Sequence, residues 1–230
     1  MSTIDRPKSP ALPPLSAGQR LDPDTFHDRY EAMPPATRAE LIDGIVHMPS
    51  PVGSDHSDMH SNAVIWLGCY RAATPGVRET DNASLRLGGS SEVQPDATLY
   101  ILSECGGQSR RERRFYLGAP ELVVEVSATT LATDLGAKRE LYGRSGVLEY
   151  LIVATEPGRV IRHGRRDDQW IEVPPGPDSL HRSEVFPGLW LDPAALLADD
   201  IRGVLDALNR GLATPEHAAF VEQLARARQG

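Results

Sequence analysis

Apolar positions in this chain alternate between strand-like runs and helix-like stripes, a pattern that predicts a mixed α/β order. Asp22-Pro23-Asp24 starts a short helix reaching about residue 33, with proline near its first turn. Apolar pairs flank Asp43-Gly44 within 40–46 and predict a tight hairpin. Met59, Ala63, Trp66, Leu67 and Tyr70 are spaced for one buried face of a helix over 55–73. Short strands are expected at 77–80 and 84–87, and more central ones at 96–102 and 121–127. A helix at about 134–145 leads into a buried strand at 147–153, with edge strands near 159–163 and 169–173. A Pro/Gly-rich stretch at 174–177 then interrupts the order.

From residue 193 the pattern becomes helical, broken near Gly211–Pro215. Leu196, Leu197, Ile201, Val204, Leu205 and Leu208 form one apolar face; Phe220, Val221 and Leu224 form a second. Such faces must pack on the core or on another copy of the chain, and a homodimer assisted by this extension is the expectation. Residues 1–22 carry Pro7, Pro10, Pro13 and Pro14 but no apolar stretch of a signal peptide, and are expected to be a flexible tail. The organisation expected is therefore a tail at 1–22, one domain at 23–190 and a helical extension at 191–230.

Composition narrows the function classes. The 230 residues are 40% hydrophobic, enough for a real core. A net charge of −8 argues against a generic nucleic-acid-coating surface, without excluding one local cationic groove. No run approaches the roughly 18 apolar residues of a membrane span, so a soluble, cytoplasmic protein is expected. Cys69 and Cys105 have no metal-ligand spacing.

Of 24 Lys and Arg residues only Lys8 and Lys138 are lysine. Lys138 falls on a helical stripe with Leu131, Leu135 and Tyr142, and so points towards the sheet, while Thr133 or Asp134 can cap the helix start. A compact ammonium retained in an arginine-rich chain suggests work that a planar guanidinium does not do. Glu125 lies inside Leu122-Val123-Val124-Glu125-Val126, where a carboxylate must be paired, protonated or metal-bound. Asp96 opens a second apolar strand after Pro95. Two acids entering one region from separate strands suit a divalent cation, and an ammonium aimed at them suits phosphate chemistry. A buried Lys138–Glu125 ion pair without chemistry is the plainer alternative.

The segment from Glu40 to Val153 resembles the Uma-two family of restriction-endonuclease-like proteins, within the PD-(D/E)XK nuclease superfamily. The matching pieces are Glu40-Leu41-Ile42-Asp43-Gly44, Pro49-Ser50-Pro51 with His56, Pro95-Asp96, and 119–127 around Glu125. Asp134 with Lys138 and Tyr142, then 146–150, complete the ordered set. The resemblance implies a restriction-endonuclease-like core, a mixed central sheet flanked by helices. It also implies Asp96 and Glu125 as metal ligands, Mg²⁺ as cofactor with Mn²⁺ as a substitute, and DNA phosphodiester hydrolysis. The superfamily's lysine two residues after the glutamate is Ser127 here, and the family's usual reading moves it to Lys138. Glu40 could support the metal, and Gln94 could line the site by proximity.

Other features stay open on sequence alone. His56 and His60 lie four apart on a helix, but no His-Glu-x-x-His pattern or third ligand accompanies them. His56 either borders the cleft or serves in capping or packing. Arg110, Arg111, Arg113 and Arg114 either contact phosphates or form a solvated loop. Three functions remain in view: a metal-dependent endonuclease, a noncatalytic nuclease-fold module that binds nucleic acid or a protein partner, and hydrolysis of another phosphate compound. The acidic balance and Ser127 favour the second.

Overall fold

A computed structural model describes residues 12–35, 37–49, 53–112 and 115–229. The proline-rich residues before 12, Ser50 and Pro51 of the matching motif, and Arg113 and Arg114 lie outside these. Helix α1 (Pro23–Glu31) begins as its sequence predicts, with Asp22 accepting from the Thr25 N–H at 2.9 Å. Strands β1 (Glu40–Ile42) and β2 (Ile45–His47) turn at Asp43-Gly44, where both φ angles are positive (53° and 76°). Helix α2 (Ser54–Ala73) buries all five residues of its predicted face, plus His56 and Asn62.

Four strands follow, β3 (Val77–Asp81), β4 (Leu85–Arg86), β5 (Glu92–Val93) and β6 (Ala97–Ile101). Then come β7 (Arg110–Glu112), β8 (Phe115–Leu117) and β9 (Leu122–Ser127). A helical stretch comprises α3 (Leu131–Thr133), a π-helical turn (Asp134–Lys138) and α4 (Arg139–Ser145). After it lie β10 (Glu149–Ala154), β11 (Arg159–Arg166), β12 (Gln169–Glu172), β13 (His181–Arg182) and β14 (Trp190–Leu191). Helices α5 (Pro193–Leu197), α6 (Ile201–Leu212) and α7 (Pro215–Ala227) close the chain.

The main sheet has the order β12-β11-β10-β9-β6-β3, with only β9 and β10 parallel. The α3–α4 stretch is the crossover between those two, so it lies against one face of the sheet. Both strands are buried along their whole length, which explains their near-continuous apolar sequences. A second sheet, β2-β1-β5-β4-β8-β7, was not foreseen, because strands of two or three residues are too short to set up an alternation. Strand β11 was expected at an edge but lies inside the sheet. Its polar Arg162 explains the difference, since it is neutralised where it is buried, by Glu149 at 2.6 Å.

Alternation along β9 sorts its side chains between two cores. Leu122, Val124 and Val126 pack with α2 and α5–α7, while Val123 packs with Leu141, Tyr142, Tyr150 and residues of the second sheet. Val204, Leu208, Phe220 and Leu224 of the extension share one core with Trp66 and Tyr70. Of the apolar faces offered for a homodimer, Leu196, Val204, Leu208, Phe220 and Leu224 are buried in that core, and Leu197, Ile201 and Leu205 pack against it half-buried. Residues 12–22 of the expected tail are tied down: Leu15 is buried, Gly18 donates to Val46 O, and Leu21 donates to Gly44 O. No described helix is long and apolar enough to cross a membrane.

Glu149 is buried, accepting from Arg162, the Ser183 hydroxyl (2.6 Å) and the Glu184 N–H (2.7 Å). Glu149→Ala leaves Arg162 buried without its counter-charge, and is expected to lower unfolding stability by about 3–5 kcal/mol. Urea unfolding reads this directly; a shift near zero would mean that the pair is not what stabilises the β10–β11 junction.

Candidate active site

The site forms where β6 and β9 run side by side. Ala97 pairs with Val124, and one further step of that antiparallel register sets Asp96 opposite Glu125 on the same face. That face looks towards the crossover helix. Asp96 Oδ2 accepts from the Val126 N–H at 2.8 Å and lies 3.4 Å from His56 Nε2. Glu125 Oε1 accepts from Lys138 Nζ at 3.0 Å and from the Tyr142 hydroxyl at 2.6 Å.

Lys138 also meets Glu40 Oε2 at 2.9 Å and lies 3.7 Å from Asp134 Oδ1. One ammonium thus joins the second sheet, the main sheet and the crossover helix. The π turn sets this arrangement. Its extra residue moves Leu135 off the predicted inward stripe, leaving it 38% exposed, and brings Asp134 inward instead. Asp134 is not the cap that its position suggested. Its carboxylate accepts from Ser127 and Thr130 hydroxyls, both at 2.7 Å, and its main-chain carbonyl accepts from Tyr150. Ser127 is therefore buried and used to hold Asp134.

Burial drives the electrostatics. It raises Glu125 well above the ordinary carboxylate range, and the charges of Asp96, Asp134 and Glu40 add to that against the pull of Lys138. Burial alone would lower Lys138, yet Glu125, Glu40 and Asp134 outweigh it and keep the amine well above its usual value. For Asp96 burial is the largest influence and an upward one. The hydrogen bonds from His56 and Val126, with the charge of Lys138, overcome it and hold Asp96 low.

These side chains line a cleft of about 480 Å³ between the two sheets. Of the expected site residues, Asp96, Glu125, Lys138 and Glu40 come together, and His56 borders the cleft beside Asp96. Gln94 also lines it. Its N–H holds Glu40 Oε1 at 2.8 Å, while its side chain bonds Tyr30 and Ser84. His60 instead bonds the Asp96 main-chain carbonyl and Asp81, so the two histidines hold different groups of Asp96. Arg110 and Arg111 are exposed on β7, at the edge of the second sheet and outside the cleft lining. Sequence reasoning missed the buried role of Asp134, whose signal was its position four before Lys138. It also missed Arg38, which lies in the cleft 3.8 Å from Asp96 and carries no motif.

The sequence profile of the Uma2 family, described as "Putative restriction endonuclease", matches residues 23–194. The chain belongs to the Uma2 family. A crystal structure titled as "a putative nuclease belonging to DUF820" from Anabaena variabilis superposes with a TM-score of 0.59 at 19% identity. The match covers 75% of this chain and 97% of that one, a likeness of fold. No curated protein matches the sequence.

The fit of a cation to this Uma2 site can be judged from its donors. Among the described residues no three His, Cys, Asp or Glu side chains form a ready cage. Asp96 and Glu125 nonetheless offer hard oxygen donors in a cleft lined by four carboxylates against Lys138 and Arg38. Mg²⁺ keeps several waters and binds through one or two carboxylates, so this donor set suits it.

Lys138→Met removes the shared counter-ion of three buried acids and is expected to cost about 3–5 kcal/mol in chemical unfolding. Adding Glu40→Gln to that variant should recover part of the loss, because one uncompensated charge disappears. Wild-type stability in Lys138→Met would show that the ammonium does not hold the acids together.

Proposed function

We propose that this Uma2 chain is a metal-dependent endonuclease that hydrolyses DNA phosphodiester bonds. The observation that carries the reading is that Asp96 and Glu125 line one cleft, with the Lys138 ammonium 3.0 Å from Glu125. In this reading Asp96 and Glu125 hold Mg²⁺, for which Mn²⁺ can substitute. When bound, the cation supplies a Lewis acid for a phosphoryl oxygen and a more acidic water. Tyr142 and Lys138 fix the Glu125 carboxylate, and His56 and the Val126 N–H fix that of Asp96. Lys138 offsets negative charge that develops as water attacks phosphorus and the bridging P–O bond breaks. Glu40 keeps the ammonium in place rather than acting directly on the substrate.

A noncatalytic nuclease-fold module is favoured, besides the acidic balance and Ser127, by the engagement of Lys138 with two carboxylates. Cleavage of linear, supercoiled and single-stranded DNA with Mg²⁺ or Mn²⁺ separates the readings. Asp96→Ala and Glu125→Ala are expected to lose about a thousandfold in rate, the several kcal/mol of charge stabilisation that a metal site supplies. Absence of cleavage, or equal cleavage by folded variants, removes the enzymatic reading. Calorimetry without site-linked divalent-ion binding would then favour the module.

A further inference from the structure

We infer that Arg38 is the residue through which the cleft grips a phosphate of its nucleic-acid substrate, an inference that rests on the nuclease reading above. The cleft is lined by two permanent cations, Lys138 and Arg38, against four carboxylates. They are placed very differently. The Lys138 side chain is 9% exposed and donates to Glu40 and Glu125, with Asp134 close by. Two of its three N–H groups are engaged by buried acids and the third faces Asp134, so a direct contact with an anion would compete with these.

Arg38 has the opposite character. Its side chain is 44% exposed, and its nearest charge partner is Asp96 Oδ1 at 3.8 Å, too far for a hydrogen bond. Among the described residues its guanidinium donates no hydrogen bond. A partly exposed ion pair of this length contributes little, so the guanidinium can exchange it for another anion at small cost. Five N–H groups in a planar fork match the oxygens of a phosphodiester, and Arg38 offers them beside the proposed metal ligand Asp96. The alternative cations Arg110 and Arg111 sit on the β7 edge, outside the cleft. On an acidic chain whose cleft already carries excess carboxylate, a guanidinium held only by a long ion pair is a specific anchor rather than part of a basic surface.

The test is equilibrium binding of a fluorescein-labelled DNA oligonucleotide to the intact protein in Ca²⁺, across a salt series. Wild type, Arg38→Ala and Arg38→Lys are compared, and Mn²⁺ affinity is measured by calorimetry on each. Arg38→Ala should bind about tenfold more weakly, as for loss of one charge-assisted contact, and its slope of log K against log salt should fall by about one. Arg38→Lys should restore the slope but only part of the affinity, because it keeps the charge and loses the fork. Mn²⁺ binding and the melting temperature should not change. Equal affinity and slope for Arg38→Ala, with wild type binding normally, overturns the role of Arg38 alone. A loss of Mn²⁺ affinity or of folding that matches the loss of DNA binding also overturns it, by making the residue structural. Failure of the wild-type protein to bind any DNA overturns both this inference and the nuclease reading.

Discussion

A buried ammonium surrounded by acids is the interaction on which the rest of this structure turns. Lys138 reaches Glu125 on β9, Glu40 on β1 and the edge of Asp134 in the π turn. Removing one cation and three carboxylates from water is costly, and only close geometry with further hydrogen bonds offsets that cost. The protein supplies those bonds from Tyr142, Ser127, Thr130 and the Gln94 N–H. Because the acids come from two sheets and one helix, the same ion fixes how these elements meet. The cleft is the gap they leave.

The charge balance gives that cleft its chemical character. Glu125 is pushed towards its protonated form, while Asp96, bonded by His56 and Val126, stays ionised. Two carboxyls of the same type are thus set apart by environment alone, as happens where acids are arranged for chemistry. The excess of acid over base suits a hard divalent cation, and the shortage of protein ligands suits one that keeps its waters. An acidic chain can accommodate a polyanion here only if local cations act where the bulk charge does not.

The family match and the core do not end at the same place. Matching stops at residue 194, yet α6 and α7 bury Val204, Leu208, Phe220 and Leu224 in the core that lies under β9. Those helices brace α2, from which His56 reaches Asp96. The packing that steadies one side of the site therefore comes from outside the family segment. A superposition at 19% identity fits this: fold persists where an apolar pattern persists, with most side chains exchanged.

Much of this was legible in the linear order of residues. A period-3.6 stripe gave α2, and near-continuous apolar runs gave β6, β9 and β10, nearly to their ends, because strands buried on both faces need apolar residues at almost every position. An acid in the Leu122–Val126 run and a lone core lysine marked Glu125 and Lys138, because burying charge without a partner is so unfavourable. Other features needed the folded chain. The second sheet is built from strands too brief to carry a period. Asp134 and not Leu135 accompanies Lys138 inward because of the π turn, and Arg38 gains meaning only from standing beside Asp96. Composition and spacing determined which side chains needed partners; distances across unconnected strands decided which partners they found, since no local rule encodes a contact between residues separated by most of a domain.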